Sequence, residues 1–111
     1  MRRGLWALVF ALLASASHAA DPEAGKEIYA KRCAYCHGES GRGDGPAGRL
    51  LEPPPTNFAD PDYWARADVA KMKDAIRNGR QGTAMMPFAP SLSEEDIDNL
   101  LSYLRTFGRG N

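Results

Sequence analysis

The clearest periodicity in the chain lies near its C-terminus. Ile97, Leu100, Leu101 and Leu104 recur at spacings of three and four, which puts them on one face of an α-helix. Ser93 stands where an N-cap belongs, and Asp96 three residues on makes a weaker variant of the capping box. Leu92 and Ile97 bracket that cap as a hydrophobic staple. Tyr103 and Phe107 widen the apolar face, Arg105 suits the negative end of the dipole, and Gly108 ends the helix. A second stripe, Val69, Met72 and Ile76, predicts a helix over 68–78 that stops at Asn78-Gly79. Met72 lies on that stripe and is read as core. A third helix opens with Asp21 as N-cap, Pro22 at the first helical position and Glu23 at the positive end of the dipole. Gly25, Tyr29 and Cys33 fall four apart on one face, which Ala24 and Ile28 widen. This helix is expected to run unbroken into Cys33–His37, to end at Gly38, and to cross the C-terminal helix near Gly25 and Tyr29.

The segments between are irregular. Residues 38–49 are rich in glycine and polar residues. They lack the closing Gly-Lys-Ser/Thr and the preceding strand of a phosphate-binding loop. Pro53-Pro54-Pro55 favours a short extended connector. Asp60-Pro61 can start a helical turn, and Asn57, Phe58, Tyr63 and Trp64 gather into an aromatic region read as packing.

Chemistry enters at Cys33-Ala34-Tyr35-Cys36-His37. This is C-x-x-C-H, the pattern of covalent haem c attachment. Two thiols one helical turn apart reach the same side and can add to the two vinyl groups of one haem. The next residue is a histidine, so its imidazole can take the iron on that side. A disulfide oxidoreductase would need a βαβ setting around the cysteines, which is not visible. A structural zinc site would need four N or S ligands, and the chain has two cysteines. A plain disulfide leaves His37 unexplained. One covalent haem is therefore expected, with Cys33 and Cys36 as thioethers and His37 on the iron. The glycine-rich loop is expected along the haem edge, the aromatic region beneath the ring. Tyr63 or Trp64 is a candidate hydrogen-bond donor to a propionate.

The N-terminus has the form of an export signal. Arg2 and Arg3 precede an apolar run from Leu5 to Leu13, and small residues follow to Ala20. The run is shorter than the roughly 20 residues that span a membrane. Residues 1–19 are read as a cleaved signal peptide and 20–111 as one domain. Cleavage removes Arg2, Arg3 and His18, leaving 12 basic against 14 acidic residues, a net charge of −2, and His37 as the only histidine. Ligation by two histidines of one chain is thereby excluded. No basic block suggests nucleic acid, no other stretch suggests a membrane span, and periplasmic location is expected.

The sixth iron position then falls to sulfur. Of Met72, Met85 and Met86, the last two lie in the loop Gly82-Thr83-Ala84-Met85-Met86-Pro87-Phe88. Irregular backbone there can aim a side chain inward, and either methionine is a candidate.

Gly25-x-x-x-Tyr29-x-x-x-Cys33, C-x-x-C-H-G, the G-x-G-D-G-P loop, the methionine loop and the Leu-rich last helix occur in that order. Together they resemble the class I monohaem cytochrome c family, of the small bacterial periplasmic type, over nearly the whole mature chain. The resemblance implies an all-α fold with crossing N- and C-terminal helices and haem c in the core. It implies that the Pro46 carbonyl accepts the hydrogen bond from His37 Nδ1. It favours Met85 as distal ligand because Met85 keeps the family spacing to Phe88, although Met86-Pro87 keeps the family dipeptide. The implied function is electron transfer, not enzymatic catalysis, by a monomer that meets transient protein partners such as a dehydrogenase, oxidase or reductase. It can act as a free carrier or as the cytochrome subunit of such an enzyme. The alternative is a haem enzyme or gas sensor with an open or labile sixth position.

Overall fold

A computed structural model describes residues 19–109, and among them the only regular structure is helical. Helix α1 spans Pro22–Arg32. The Asp21 carboxylate caps it by accepting from the Glu23 N–H at 2.9 Å, and Pro22 occupies the first turn. α2 is one turn, Ala34–His37, and a 3-10 turn follows at Gly48–Leu50. α3 covers Pro61–Arg66 behind the Asp60 cap, and α4 covers Val69–Asn78 behind Asp68, whose carboxylate accepts from the Lys71 N–H at 3.2 Å. α5, Glu94–Phe107, is the longest.

The cap of α5 is fuller than its sequence suggests. Ser93 Oγ accepts from the Asp96 N–H at 3.1 Å while Asp96 accepts from the Ser93 N–H at 2.9 Å, so both arms of the capping box form with an aspartate in place of the usual glutamate. Ile97, Leu100, Leu101 and Leu104 are buried, Ile97 and Leu100 almost completely. Each such side chain contributes about 1.5–3 kcal/mol through burial. Met72 and Ile76 of α4, with Phe58, Phe88, Leu92 and Tyr29, complete one core. Met72 is core, as its position on the stripe implies.

α1 crosses α5 at Gly25, as expected. A β-carbon on Gly25 would fall inside the Asn99 carbonyl and against Tyr103 Cβ, so only glycine permits this approach. Asp21 N–H donates to Asn99 Oδ1 at 2.8 Å on the same seam. One turn further on, the Tyr29 ring packs 5.4 Å from Tyr103 and 5.1 Å from Phe107, centroid to centroid.

α1 does not run unbroken to Gly38. Cys33 has φ −121° and ψ −35°, and the helix bends there. Cys33 N–H still donates to Tyr29 O at 2.9 Å and His37 N–H to Cys33 O at 2.8 Å, but between them the helical ladder is interrupted, and the Cys36 N–H turns back to Cys33 O at 3.2 Å. The carbonyls of the turn carrying the second cysteine and the histidine meet the following loop.

Gly25→Ala tests the crossing. The added methyl must push Asn99 away, and overpacking of this kind costs about 1–3 kcal/mol. Guanidinium denaturation followed by far-UV circular dichroism should show that loss; wild-type stability would mean that the helices do not meet at Gly25.

Candidate haem site

The two thiols sit at the two ends of the bend. Cys33 and Cys36 are both free and half-buried. Burial, reinforced by the neighbouring Cys36, pushes the Cys33 thiol up to about 12, with Arg32 opposing weakly. Cys33 thus stays a neutral S–H at physiological pH.

The glycine-rich loop runs against the backbone of this turn. Gly43 N–H donates to His37 O at 2.7 Å, Gly45 N–H to Cys36 O at 3.1 Å and Ala47 N–H to Tyr35 O at 3.0 Å. Three otherwise unpaired carbonyls at a helix end are satisfied by one loop. The approach is closer than a side chain allows. A β-carbon on Gly45 would strike the Ala34 and Tyr35 carbonyls, and one on Gly48 the Cys36 carbonyl. These contacts define the loop's role as a brace for the turn, beyond the haem edge to which its composition alone pointed. From the other side the Tyr29 hydroxyl donates to the Gly38 carbonyl.

His37 is fixed by main chain and by stacking. Its Nδ1 lies 3.2 Å from the Thr56 carbonyl oxygen. A carbonyl can only accept, so Nδ1 carries the proton and Nε2 presents its lone pair. Here the structure corrects the sequence reading. Pro46 is exposed, and the carbonyl that meets His37 is that of Thr56. The loop holding Pro46 is engaged with the carbonyls of the Cys36 turn, whereas the extended segment after the three prolines passes beside the imidazole. The His37 ring stacks on Phe58 at 4.7 Å and 25°. Phe58 is held in turn, its carbonyl accepting from the Trp64 indole N–H at 2.7 Å. Burial lowers the His37 pKa, the Thr56 bond opposes this, and the Arg80 charge adds to the lowering. The imidazole is therefore neutral at neutral pH, the form a metal requires.

Met85 is half-buried and packs against the hydrophobic cluster. Met86 points outward, 61% exposed. Trp64 uses its N–H on Phe58. Tyr63 is half-buried; burial raises its pKa and the nearby Arg80 charge opposes that rise. Sequence reasoning missed Thr56, since a backbone carbonyl has no side-chain signature. The only cue was an extended Pro-Pro-Pro-Thr run two residues before an aromatic.

The model of the cytochrome c family matches residues 22–108. The chain belongs to the cytochrome c family. Over 92 aligned residues this cytochrome is 36% identical to cytochrome c-554(547) of Halothiobacillus neapolitanus, covering 79% of this chain and 98% of that one. Over 86 residues it is 37% identical to the cbb3-type cytochrome c oxidase subunit FixP of Azorhizobium caulinodans, covering 78% of this chain but only 27% of FixP. The solved c-type cytochrome KustC0563 superposes with a TM-score of 0.65 at 28% identity, covering 75% of this chain and 95% of that one. The fold is accordingly that of a class I cytochrome c. The family binds haem c covalently, and Cys33 and Cys36 have the spacing for it. The donor set agrees, with two free thiols one turn apart beside a neutral imidazole whose Nδ1 is tied and whose Nε2 keeps its lone pair for a metal. Haem-based electron transfer is the activity that goes with this family.

The wall behind the imidazole makes a prediction. Phe58→Ala removes a buried ring that orients His37 and should cost the cytochrome about 3–5 kcal/mol. Denaturant unfolding measures it, and a loss below about 1 kcal/mol would mean that Phe58 does not support the site.

Proposed function

We propose that this cytochrome is a periplasmic carrier of single electrons, with its iron held between His37 and Met85 and its haem bonded to Cys33 and Cys36. The observation that carries this reading is the contrast between Met85, packed on the core, and Met86, exposed to solvent. Haem c supplies an iron that takes up and gives back one electron without a bond to substrate.

The residues of the chain do the rest. Thr56 holds the His37 proton on Nδ1, which makes the ring a better donor and stops it from rotating. Phe58 stacks on the same ring. A thioether opposite a histidine raises the reduction potential. His37 sits on supports that need not move when charge changes, so little rearrangement on that side opposes electron movement. With the Trp64 N–H engaged, the Tyr63 hydroxyl and the Arg80 cation beside it are the groups left to meet a propionate.

Export comes with this reading. Residues 1–19 act as a cleaved signal peptide and 20–111 as the cytochrome domain; residues 1–18 lie outside those the structure describes. Among the described residues no helix is long and apolar enough to cross a membrane. The partners are redox proteins, and the likeness to FixP makes an oxidase one reasonable class. Contacts of this kind are brief and small, below about 1,200 Å² in total.

Absorption spectra of the exported protein, oxidised and reduced, with and without carbon monoxide, test the assignment. A c-type reduced spectrum, a far-red sulfur-to-iron band on oxidation and no response to carbon monoxide are expected. Met85→Ala should abolish the far-red band and admit carbon monoxide, Met86→Ala should change neither, and His37→Ala should prevent a low-spin haem protein from forming. The converse result for the two methionines would move the ligand to Met86.

A further inference from the structure

The loop that carries Met85 is thinly packed. Gln81, Gly82, Ala84, Met86 and Pro87 are all exposed, so side-chain burial does little to hold it. Segments with few buried contacts open locally at low cost. The loop exit is stitched to α4, with Phe88 N–H donating to Ile76 O at 3.0 Å and Ala89 N–H to Arg77 O at 3.0 Å. Those bonds lie beyond Met85 and leave its own backbone to be held from inside the loop.

One hydroxyl organises that interior. Thr83 Oγ1 donates to the Arg80 carbonyl at 2.7 Å and accepts from the Met85 N–H at 3.1 Å. The Arg80 N–H donates to the Met85 carbonyl at 3.1 Å, and the Thr83 N–H donates to the Arg80 carbonyl at 3.1 Å. Met85 is thus gripped at both its N–H and its C=O. The N–H grip depends on a single side chain, half-buried in a loop whose neighbouring side chains point to solvent.

We propose that Thr83 is the positioning residue for the sixth iron ligand: its hydroxyl sets how readily the Met85 sulfur leaves the iron. The proposal rests on the reading of Met85 as distal ligand. Removing the hydroxyl leaves the Met85 N–H without its partner and the Arg80 carbonyl with the Thr83 N–H alone, and frees the loop to swing. The iron site then opens more often while the core, which contains no atom of Thr83, stays as it was.

The test compares Thr83→Val, which keeps the shape and lacks the hydroxyl, with Thr83→Ser, which keeps the hydroxyl. Both are made in the haem-loaded protein beside wild type and Met85→Ala. Imidazole binding to the oxidised form reports how readily the sulfur yields, the far-red band reports the sulfur–iron bond, and denaturant unfolding reports global stability. Thr83→Val should bind imidazole about tenfold more tightly, as expected when about 1.4 kcal/mol of support for the closed loop is lost. Its far-red band should weaken, its reduction potential should fall, and Thr83→Ser should return all three towards wild type. Imidazole affinity within about twofold of wild type in Thr83→Val, or an equal effect in Thr83→Ser, overturns the proposal. So does a change confined to global stability. If Met85→Ala itself leaves the band and the affinity unaltered, the distal assignment fails and the role of Thr83 falls with it. An altered Met85→Ala beside an unaltered Thr83→Val removes Thr83 alone.

Discussion

The contact between Gly25 and the Asn99 carbonyl sets the position of almost everything else. It brings α1 onto α5 at backbone distance, which lets Tyr29, one turn later, sink among Tyr103 and Phe107. Once buried, the Tyr29 hydroxyl needs a partner, because an unpaired polar group in the core is costly. It finds the Gly38 carbonyl, immediately after His37. The crossing of two helices thereby fixes the far side of the Cys33–His37 turn. A wider crossing would withdraw Tyr29 and loosen the segment that must hold two thiols and an imidazole in register with one planar ring.

Much of the site is built from main-chain atoms. The carbonyls of Tyr35, Cys36 and His37 are met by N–H groups of the glycine-rich loop, and the proton of the imidazole is held by the carbonyl of Thr56. This explains a composition that otherwise looks merely flexible. Glycine at 45 and 48 is needed because two backbones run in contact there, with no room for a β-carbon between them. Backbone partners also suit a redox site. They carry no net charge and do not titrate, so the electrostatic setting of His37 varies little with pH.

These facts mark the boundary of what the sequence makes legible. The stripe of α5, its Ser93 cap, the core position of Met72, the Cys33–His37 motif and the crossing at Gly25 are all written in side chains at fixed spacing. The structure agrees with the stripe, the cap, the core position and the crossing, and the family match with the spacing of the two cysteines. The partner of His37 is not written that way. Pro46 sits in the part of the motif where the family pattern puts a proline, yet its loop is held against the Cys36 turn and the carbonyl beside His37 belongs to Thr56. A carbonyl can be supplied by any residue, so identity at one position says little about which one arrives. The bend at Cys33 is hidden for a similar reason. It shows in the dihedral angles of Cys33 and in the Cys36 N–H turning back to the Cys33 carbonyl, which no side-chain pattern announces.

His37 and Met85 are held in different ways, and under the proposed ligation that difference bears on what the fold can do. His37 is gripped by a carbonyl and a stacked ring, and the ring is itself locked by Trp64. Met85 hangs from a loop in which Gln81, Ala84, Met86 and Pro87 are exposed and whose internal bonds converge on one threonine and the Arg80 backbone. A site that is firm on one side and lightly held on the other has a natural point of variation. With Met85 as the proposed distal ligand, changes to a few exposed loop residues would turn a closed electron carrier into a protein with an accessible iron while the core and the thioether turn remain intact. Keeping the carrier closed would then be a demand on residues 80–87, where hydrogen-bond geometry does more than burial to place the chain.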